Sequence, residues 1–388
     1  MTDLSYNTDN ILSNFPSCLR KHIEELCLGS KIGLSSVTLN DISVSKMRLI
    51  DEDILNNFHF IMKIPFAGKR LKWEIIFDPE DLSFPPDFDF NDDQFLAFPD
   101  YDTIKNNVTH LDNWDLKNPQ ALSLVLNQFL ALYKKYQLEK FRMENIYSKL
   151  WDEYEMITTK ENGIDPQNIE VSIDGNNTVF FISLAVDCSS LPEYIQPLDK
   201  CFGSFYNPGE DYAHLTLNIG RLDRNRSWAS LQLSPRVQQI LEHSKNLHIP
   251  ELKKGTTLFE YVSAVSKLLE DRIKAVANHY KMKKVYITSI AAICSCSIVE
   301  YDSETFSKAV FIFDVDDYNC LVTVTLGPNF PAEKPSVLLS SYYCQEGKMC
   351  NEILDKYPYN GTLRPENNIE NLLEYLHAAV KKFKCHKH

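Results

Sequence analysis

The residues able to do covalent chemistry are scattered along this chain rather than assembled. It carries ten cysteines and ten histidines. A thiolate nucleophile needs a base or a cation held beside it. Cys344 and Cys350 share one stretch, yet no histidine lies between His279 and His377. No cysteine separates Cys27 from Cys188. The one His-x-His is His386-Lys387-His388, with no possible ligand after it. Together with Cys385 it reads as a frayed basic tail, not a zinc site. Cys294-x-Cys296 has the wrong spacing for a redox or zinc pair and reads as part of a strand-like run. There is no His-Glu-x-x-His, no Gly-x-Ser-x-Gly and no Walker loop. Glycines number only 12, too few for a phosphate cradle. No catalytic, cofactor-binding or metal-binding residue is assigned, and the expectation is a protein that is not an enzyme.

Aromatic side chains are the other resource, with 19 Tyr, 22 Phe and 4 Trp. Phe84, Phe88, Phe90, Phe95 and Phe98 are interleaved with carboxylates. From Asp78 to Asp102 there are nine carboxylates and no Lys or Arg. Two readings stay open. Either the stretch folds back on its own domain as a solvated acidic loop, or its rings are anchors for a partner, a basic one by charge. Tyr342, Tyr343, Tyr357 and Tyr359 flank the cysteine-bearing stretch and pose the same choice. The candidate partner interface is therefore Phe84, Phe88, Phe95, Phe98, Tyr342, Tyr343, Tyr357 and Tyr359.

The elements that position these residues follow from pattern. Phe77-Asp-Pro-Glu-Asp-Leu-Ser-Phe-Pro-Pro-Asp-Phe-Asp-Phe90 recurs as Leu326-Gly-Pro-Asn-Phe-Pro-Ala-Glu-Lys-Pro-Ser-Val-Leu-Leu339. Each copy is a strand end, a proline-punctuated turn and another apolar strand. Before the first copy, spacing predicts a helix over Leu12–Leu28 and strands at Ile42–Ile50, Phe58–Pro65 and Leu71–Phe77, with a hairpin turn at Ala67-Gly68-Lys69. After it, 91–118 carries no regular pattern. Asn118-Pro119 then opens a helix through Tyr136 that continues past Phe141, Ile146, Leu150 and Tyr154 as a long connector. Before the second copy stand a helix over Thr257–Tyr280 and strands at Ile298–Tyr301, Ala309–Val315 and Cys320–Leu326, with a turn at Asp316-Asp317. After it come Ser336–Ser341, an irregular stretch to Leu363, and a helix opened by Pro365. The middle of the chain reads as a weaker third copy. It has strands at Asn168–Ile173, Val179–Val186, Ala213–Ile219 and Trp228–Leu233, then a helix from Pro235. Its pairing order is left open.

Composition bounds the class. The chain has 388 residues, ordinary globular hydrophobicity and a net charge of −13. Such a surface repels nucleic acid. The N-terminus lacks a signal-peptide pattern, and the least polar run, Val285 to Val299, is too short to span a bilayer. The cysteines then read as reduced thiols, and the expected location is cytoplasmic and nuclear.

Helix, antiparallel meander, proline turn, last strand, loop and helix, in that order, resemble the ubiquitin-conjugating fold and its inactive UEV/RWD relatives. The fold expected is α+β, with tandem UEV-like domains at 1–140, 141–254 (degenerate) and 255–388, each a meander flanked by helices. Active members of that family use a cysteine in the loop after the last strand and an upstream His-Pro-Asn whose Asn steadies an oxyanion. Here His110 is followed by Leu111, Pro358 follows Tyr357, and neither Cys201, Cys344 nor Cys350 has a His-Pro-Asn before it. The chemistry of the family is therefore expected to be missing.

Leu71-Lys-Trp-Glu-Ile-Ile-Phe-Asp78, Leu233-Ser-Pro-Arg-Val237, Leu247-His-Ile-Pro250, Val299-Glu-Tyr-Asp302 and Lys356-Tyr-Pro-Tyr359 are similar to the BRE family. These are UEV-domain scaffold subunits of the BRISC and nuclear BRCA-A deubiquitinase complexes. The resemblance implies a non-catalytic scaffold in a lysine-63-specific deubiquitinase assembly. Its partners would be a JAMM/MPN-type zinc deubiquitinase with an Abraxas-like pseudo-protease, a von-Willebrand-A-fold adaptor and polyubiquitin, with no cofactor. A stand-alone ubiquitin- or peptide-binding UEV module is the alternative.

Overall fold

Among the described residues, three runs of strand-forming sequence become antiparallel sheets of four or five strands, beside one two-stranded ribbon. The computed structural model describes residues 12–28, 31–44, 58–97, 101–143, 148–159, 163–175, 177–192, 210–220, 227–242, 247–253, 255–341 and 350–385. Its chain divides into two compact units. The first comprises 1–186, 197–234 and 248–268; the second comprises 187–196, 235–247 and 269–388.

Among the described residues of the first unit, Leu12 is helical and α1 spans Arg20–Leu28. The helix expected over Leu12–Leu28 is interrupted at 13–19, where Pro16 has no N–H. Its carbonyl instead accepts from the amides of Leu19 and Arg20, at 2.9 and 3.2 Å, and so starts the helix. A two-residue ribbon, β1 (Lys31–Ile32) with β2 (Ser35–Ser36), follows. The first sheet has the order β3 (Ile42–Val44), β4 (His59–Phe66), β5 (Lys69–Ile76), β6 (Asp87–Asp89), all antiparallel. Residues 45–50 of the strand expected over Ile42–Ile50 lie outside the described residues.

The stretch 91–118, expected to be irregular, holds two short helices, α2 (Tyr101–Asn107) and α3 (Thr109–Asp112). Asn118 does open the next helix: its Oδ1 accepts from the Gln120 amide at 3.1 Å and its carbonyl from Ala121 at 3.0 Å. That helix is α4 (Ala121–Met143), and α5 (Ser148–Thr159) follows; Ile146 lies outside the described residues. The middle sheet, whose order the pattern left open, pairs sequentially: β7 (Ile169–Asp174), β8 (Asn177–Ser183), β9 (Ala213–Gly220), β10 (Trp228–Leu233). The core of this unit joins Leu19, Ile23 and Leu26 to Trp73 and Ile75 of the first sheet and to Val125 and Phe129 of α4. Phe181 of β8 belongs to the same cluster.

A buried carboxylate adds to that junction. Glu170 on β7 is 3% exposed. Its oxygens accept from the amides of Ala67, at 2.7 Å, and Leu34, at 3.3 Å. Burial raises its pKa; those two bonds and the nearby Lys134 pull it back. One side chain of the middle sheet thus serves both the β4–β5 turn of the first sheet and the turn of the β1–β2 ribbon.

His214 on β9 lies in the same unit, 5% exposed, with ring centroids 4.8 Å from Phe181 and 4.6 Å from Tyr212. Burial, aided by the charge of Lys31, pushes its pKa down from 6.5 to about 4. The unfolded chain therefore takes up this proton first. The stability tied to neutral His214 is complete above pH 6.5 and is lost as pH falls towards 4. Urea midpoints are expected to drop between neutral and mildly acid pH, and His214→Phe, which keeps the stacking, is expected to flatten that drop. An unchanged slope in the variant would mean His214 is not the group responsible.

After α6 (Pro235–Glu242) comes the long α7 (Leu258–Ile293), which starts in the first unit and ends in the second. Its N-terminus carries a capping box. The Thr257 amide donates to Glu260 at 3.0 Å and the Glu260 amide to the Thr257 hydroxyl at 3.3 Å, while the Leu258 amide donates to Glu153 of α5 at 3.0 Å. α7 runs thirteen residues past the expected end at Tyr280. Cys294 and Cys296 therefore sit in the turn after a helix, not in a strand.

The second unit's sheet is β11 (Ile298–Tyr301), β12 (Lys308–Val315), β13 (Tyr318–Thr325), β14 (Ser336–Ser341), β15 (Asn351–Ile353). β15 falls in the stretch expected to be irregular. The Asp302 carboxylate organises the β11–β12 turn, accepting from the amides of Glu304, Thr305 and Ser307 at 3.0, 3.0 and 3.2 Å. Burial works against its charge, but the bonds from Thr305 and Ser307 outweigh it and hold the carboxyl well below the usual range. The closing helix is α8 (Pro365–Cys385), whose Ile369, Leu372, Leu376, Val380 and Phe383 pack into the core with Tyr286, Ile287 and Ile290 of α7.

The repeat seen in sequence is geometric. β4 and β5 span 59–66 and 69–76; β12 and β13 span 308–315 and 318–325, the same hairpin displaced by a constant interval. The strands after the proline turns, β6 and β14, begin at the same displacement, at Asp87 and Ser336. Both hairpins close through two residues of positive φ, Ala67 (47°) with Gly68 (73°) and Asp316 (49°) with Asp317 (62°). The architecture is α+β, of antiparallel sheets and helices.

Candidate functional site

The two proline turns join equally displaced strands and differ in what covers them. In the first, aspartates build the corners. The amides of Glu80 and Ser83 donate to Asp78 and Asp81 at 2.9 and 3.0 Å, and Asn91 donates to Asp89 at 2.9 Å. Strand alternation then turns Phe88 and Phe90 inward and Asp87 and Asp89 outward. Phe88 and Phe90 lie 4.8 and 4.9 Å from the Phe129 ring, and Phe90 lies 4.9 Å from both Trp73 and Phe95. Phe95 is 4% exposed and packs edge-on to Tyr133 at 4.9 Å. This much of the acidic stretch folds back on its own domain.

Phe84 does not. It is 66% exposed. Beside it runs an open groove of about 660 Å³, walled by Pro85, Pro86, Phe88 and Trp114, with Asp87 and Asp112 on its lining. Trp114 is fixed by a 3.3 Å bond from its indole N–H to the Leu82 carbonyl and by stacking on His22 at 5.8 Å. Trp114 was not among the expected interface residues, since the stretch around it carries no periodic signal.

In the second unit the turn is closed by its own tyrosines. Tyr357 is buried and its hydroxyl donates to the Pro335 carbonyl. Tyr359 is half-buried and donates to the Pro331 carbonyl at 2.8 Å. The Lys334 ammonium lies 5.1 Å from the centroid of the Tyr357 ring and donates to the Asp355 carbonyl. Burial raises the pKa of Tyr357 and of Tyr359. Phe330, 5% exposed, packs on Tyr286 at 5.1 Å, and the Phe330–Pro331 peptide is cis.

Four of the eight expected interface aromatics, Phe88, Phe95, Tyr357 and Tyr359, are thus engaged within their own units, and Phe84 stands out in solvent. Phe98, Tyr342 and Tyr343 lie outside the described residues, as do Cys201 and Cys344. Cys350 is half-buried and packs against the second core. Among the described residues no three His, Cys, Asp or Glu side chains cluster as a metal site. Among the described residues no helix is long and apolar enough to cross a membrane.

Gly361 belongs to this closure. A Cβ there would lie 2.5 Å from the Pro331 oxygen, the acceptor of the Tyr359 bond. Backbone does not yield as a flexible side chain does. Gly361→Ala is expected to destabilise the second unit by about 1–3 kcal/mol, read as a lower urea midpoint. An unshifted midpoint would show that the 360–363 segment moves away freely.

Comparison with known proteins places this arrangement. A family model described as "Brain and reproductive organ-expressed protein (BRE)" matches residues 13–344. A protein of Danio rerio named "BRISC and BRCA1-A complex member 2" is 28% identical over 392 aligned positions, covering 98% of this chain and 97% of the relative. A protein of Branchiostoma floridae with the same name is 28% identical over 388 positions, covering 97% and 96%. The matched span takes in both proline turns and all three sheets up to β14, and on that ground the chain belongs to the brain and reproductive organ-expressed protein (BRE) family.

Proposed function

We propose that this chain is a non-catalytic scaffold subunit of a BRISC- or BRCA1-A-type deubiquitinase assembly, built from UEV-like units that have lost their chemistry. The observation that carries the proposal is end-to-end similarity to two relatives named as members of those complexes. The geometry agrees with it. Around the second proline turn, tyrosine hydroxyls satisfy backbone carbonyls, and Cys350 packs against the core. In this reading the chain bridges a JAMM/MPN-type zinc deubiquitinase, with its Abraxas-like partner, to a von-Willebrand-A-fold adaptor. It works in ubiquitin signalling in both cytoplasm and nucleus, and polyubiquitin is a further contact.

Affinity purification of the full chain from cells tests this. Stoichiometric recovery of a lysine-63-specific zinc deubiquitinase is the expected result; recovery as a lone monomer would sink the proposal. Incubation with ubiquitin, activating enzyme and ATP is expected to leave every cysteine without a thioester. A stand-alone binding module is the second reading, favoured by the open groove beside Phe84.

A further inference from the structure

We infer that the groove beside Phe84 is a docking site for an extended peptide whose apolar or proline side chains are flanked by Lys or Arg. It stands apart from the scaffold proposal, because it rests on one surface of the first unit and names no assembly.

Three observations point to that occupant. The first is shape. A groove of about 660 Å³ lies within the usual range of ligand clefts, and its walls are tied down by local contacts. Pro85 and Pro86 fix the backbone, Asp81 holds the Ser83 amide and hydroxyl at 3.0 and 2.6 Å, and Trp114 is pinned from two sides. Phe84 is therefore presented in solvent by a stiff segment, which spares a partner the entropy of ordering it.

The second is the sheet edge. β6 is the last strand of its sheet, paired to β5 on one side and to no strand on the other among the described residues. Residues of β6 line the groove. An extended segment lying there gains main-chain contacts as well as side-chain burial.

The third is charge. Asp87 and Asp112, both exposed, lie on the lining, and between Asp78 and Asp102 no Lys or Arg offsets the carboxylates. An acidic segment would be repelled and a neutral one gains nothing from the carboxylates, whereas a basic one is steered in. Nucleic acid is disfavoured by the same field. The floor takes the apolar side chains, and the aspartates take the flanking cations.

The test uses the full chain and a phage-displayed library of random decapeptides. Panning is run on the wild-type protein, with counter-selection on Phe84→Ala and, separately, on the Asp87→Lys/Asp112→Lys pair. Selected peptides are synthesised and titrated by fluorescence anisotropy. The expected consensus has Leu, Phe or Pro between Lys or Arg. Affinity is expected to fall about tenfold or more in either variant, and to fall on raising salt with the wild-type protein. All three side chains are exposed, so the variants are expected to melt as the wild type does. Should one misfold, the other variant and the salt series still decide.

Failure to enrich any peptide over counter-selection would overturn the inference. So would an acidic or charge-free consensus, or binding indifferent to both variants. A consensus copying a segment of this chain, or self-association abolished by Phe84→Ala, would also replace the peptide by the protein itself. None of these results bears on whether the chain co-purifies with a deubiquitinase.

Discussion

Glu170→Ala is expected to be among the most damaging single substitutions in the first unit. Two amides, of Ala67 and Leu34, donate to this carboxylate from turns more than a hundred residues away in sequence. Alanine removes both acceptors and admits no replacement, because the site is buried. Each stranded N–H costs about 1–3 kcal/mol, so the loss from the two is about 2–6 kcal/mol. Against a typical stability of roughly 5–15 kcal/mol, that is a large fraction. Glu170→Gln keeps one accepting oxygen and turns an NH2 towards the other amide, so it should fall between wild type and alanine. Urea denaturation followed by circular dichroism measures the order. Equal midpoints for all three proteins would mean that water or another carbonyl satisfies both amides.

Trp73→Ala should rival it. The side chain is fully buried at the centre of β5 and meets Phe90 edge-on at 4.9 Å and Tyr133 at 6.2 Å. Truncating a buried Trp leaves a cavity and costs about 3–5 kcal/mol. Trp73→Phe keeps most of the packing and should lose less. There is a local consequence besides. Phe90 contributes to the groove beside Phe84, and Trp73 is one of the rings that hold it in place. Cavity formation behind Phe90 should therefore weaken peptide capture more than the exposed substitution Asp112→Lys alone. Undiminished capture by a folded Trp73→Ala protein would show that the groove floor does not depend on that ring.

The strands and both proline turns were legible because a half-buried strand must alternate and because proline stops a ladder wherever it stands. Those two rules locate β4, β5, β12 and β13 and the strands after the turns. They say nothing about α2 and α3. Neither helix buries a residue, so neither carries an apolar stripe to be seen. The one available cue for α2 was weak: Asp102 in its first turn and Lys105 in its last, matched to the helix dipole. The end of α7 was misread for another reason. Val285, Ile287, Thr288, Ile290 and Ile293 are β-branched and suggest a strand. Burial instead falls on Tyr286, Ile287, Ile290 and Cys294, which is helical spacing and could have been found.

Of the candidate interface, composition marked the aromatics but could not say which way each ring faces. In the acidic stretch the deciding contacts come from α4, through Phe129 and Tyr133, far along the chain. Glu170 left no trace at all. A glutamate in a strand reads as a solvent-facing residue until a second layer covers it, and that layer is set by tertiary contacts.

The hydroxyls of Tyr357 and Tyr359 spend their protons on the carbonyls of Pro335 and Pro331. A kinase needs such an oxygen free and the chain around it drawn out into its own cleft. Neither condition holds while the turn is closed. Phosphate found on Tyr357 would therefore be a record of a molecule that had already opened there, and the doubly charged group would then keep it from closing again.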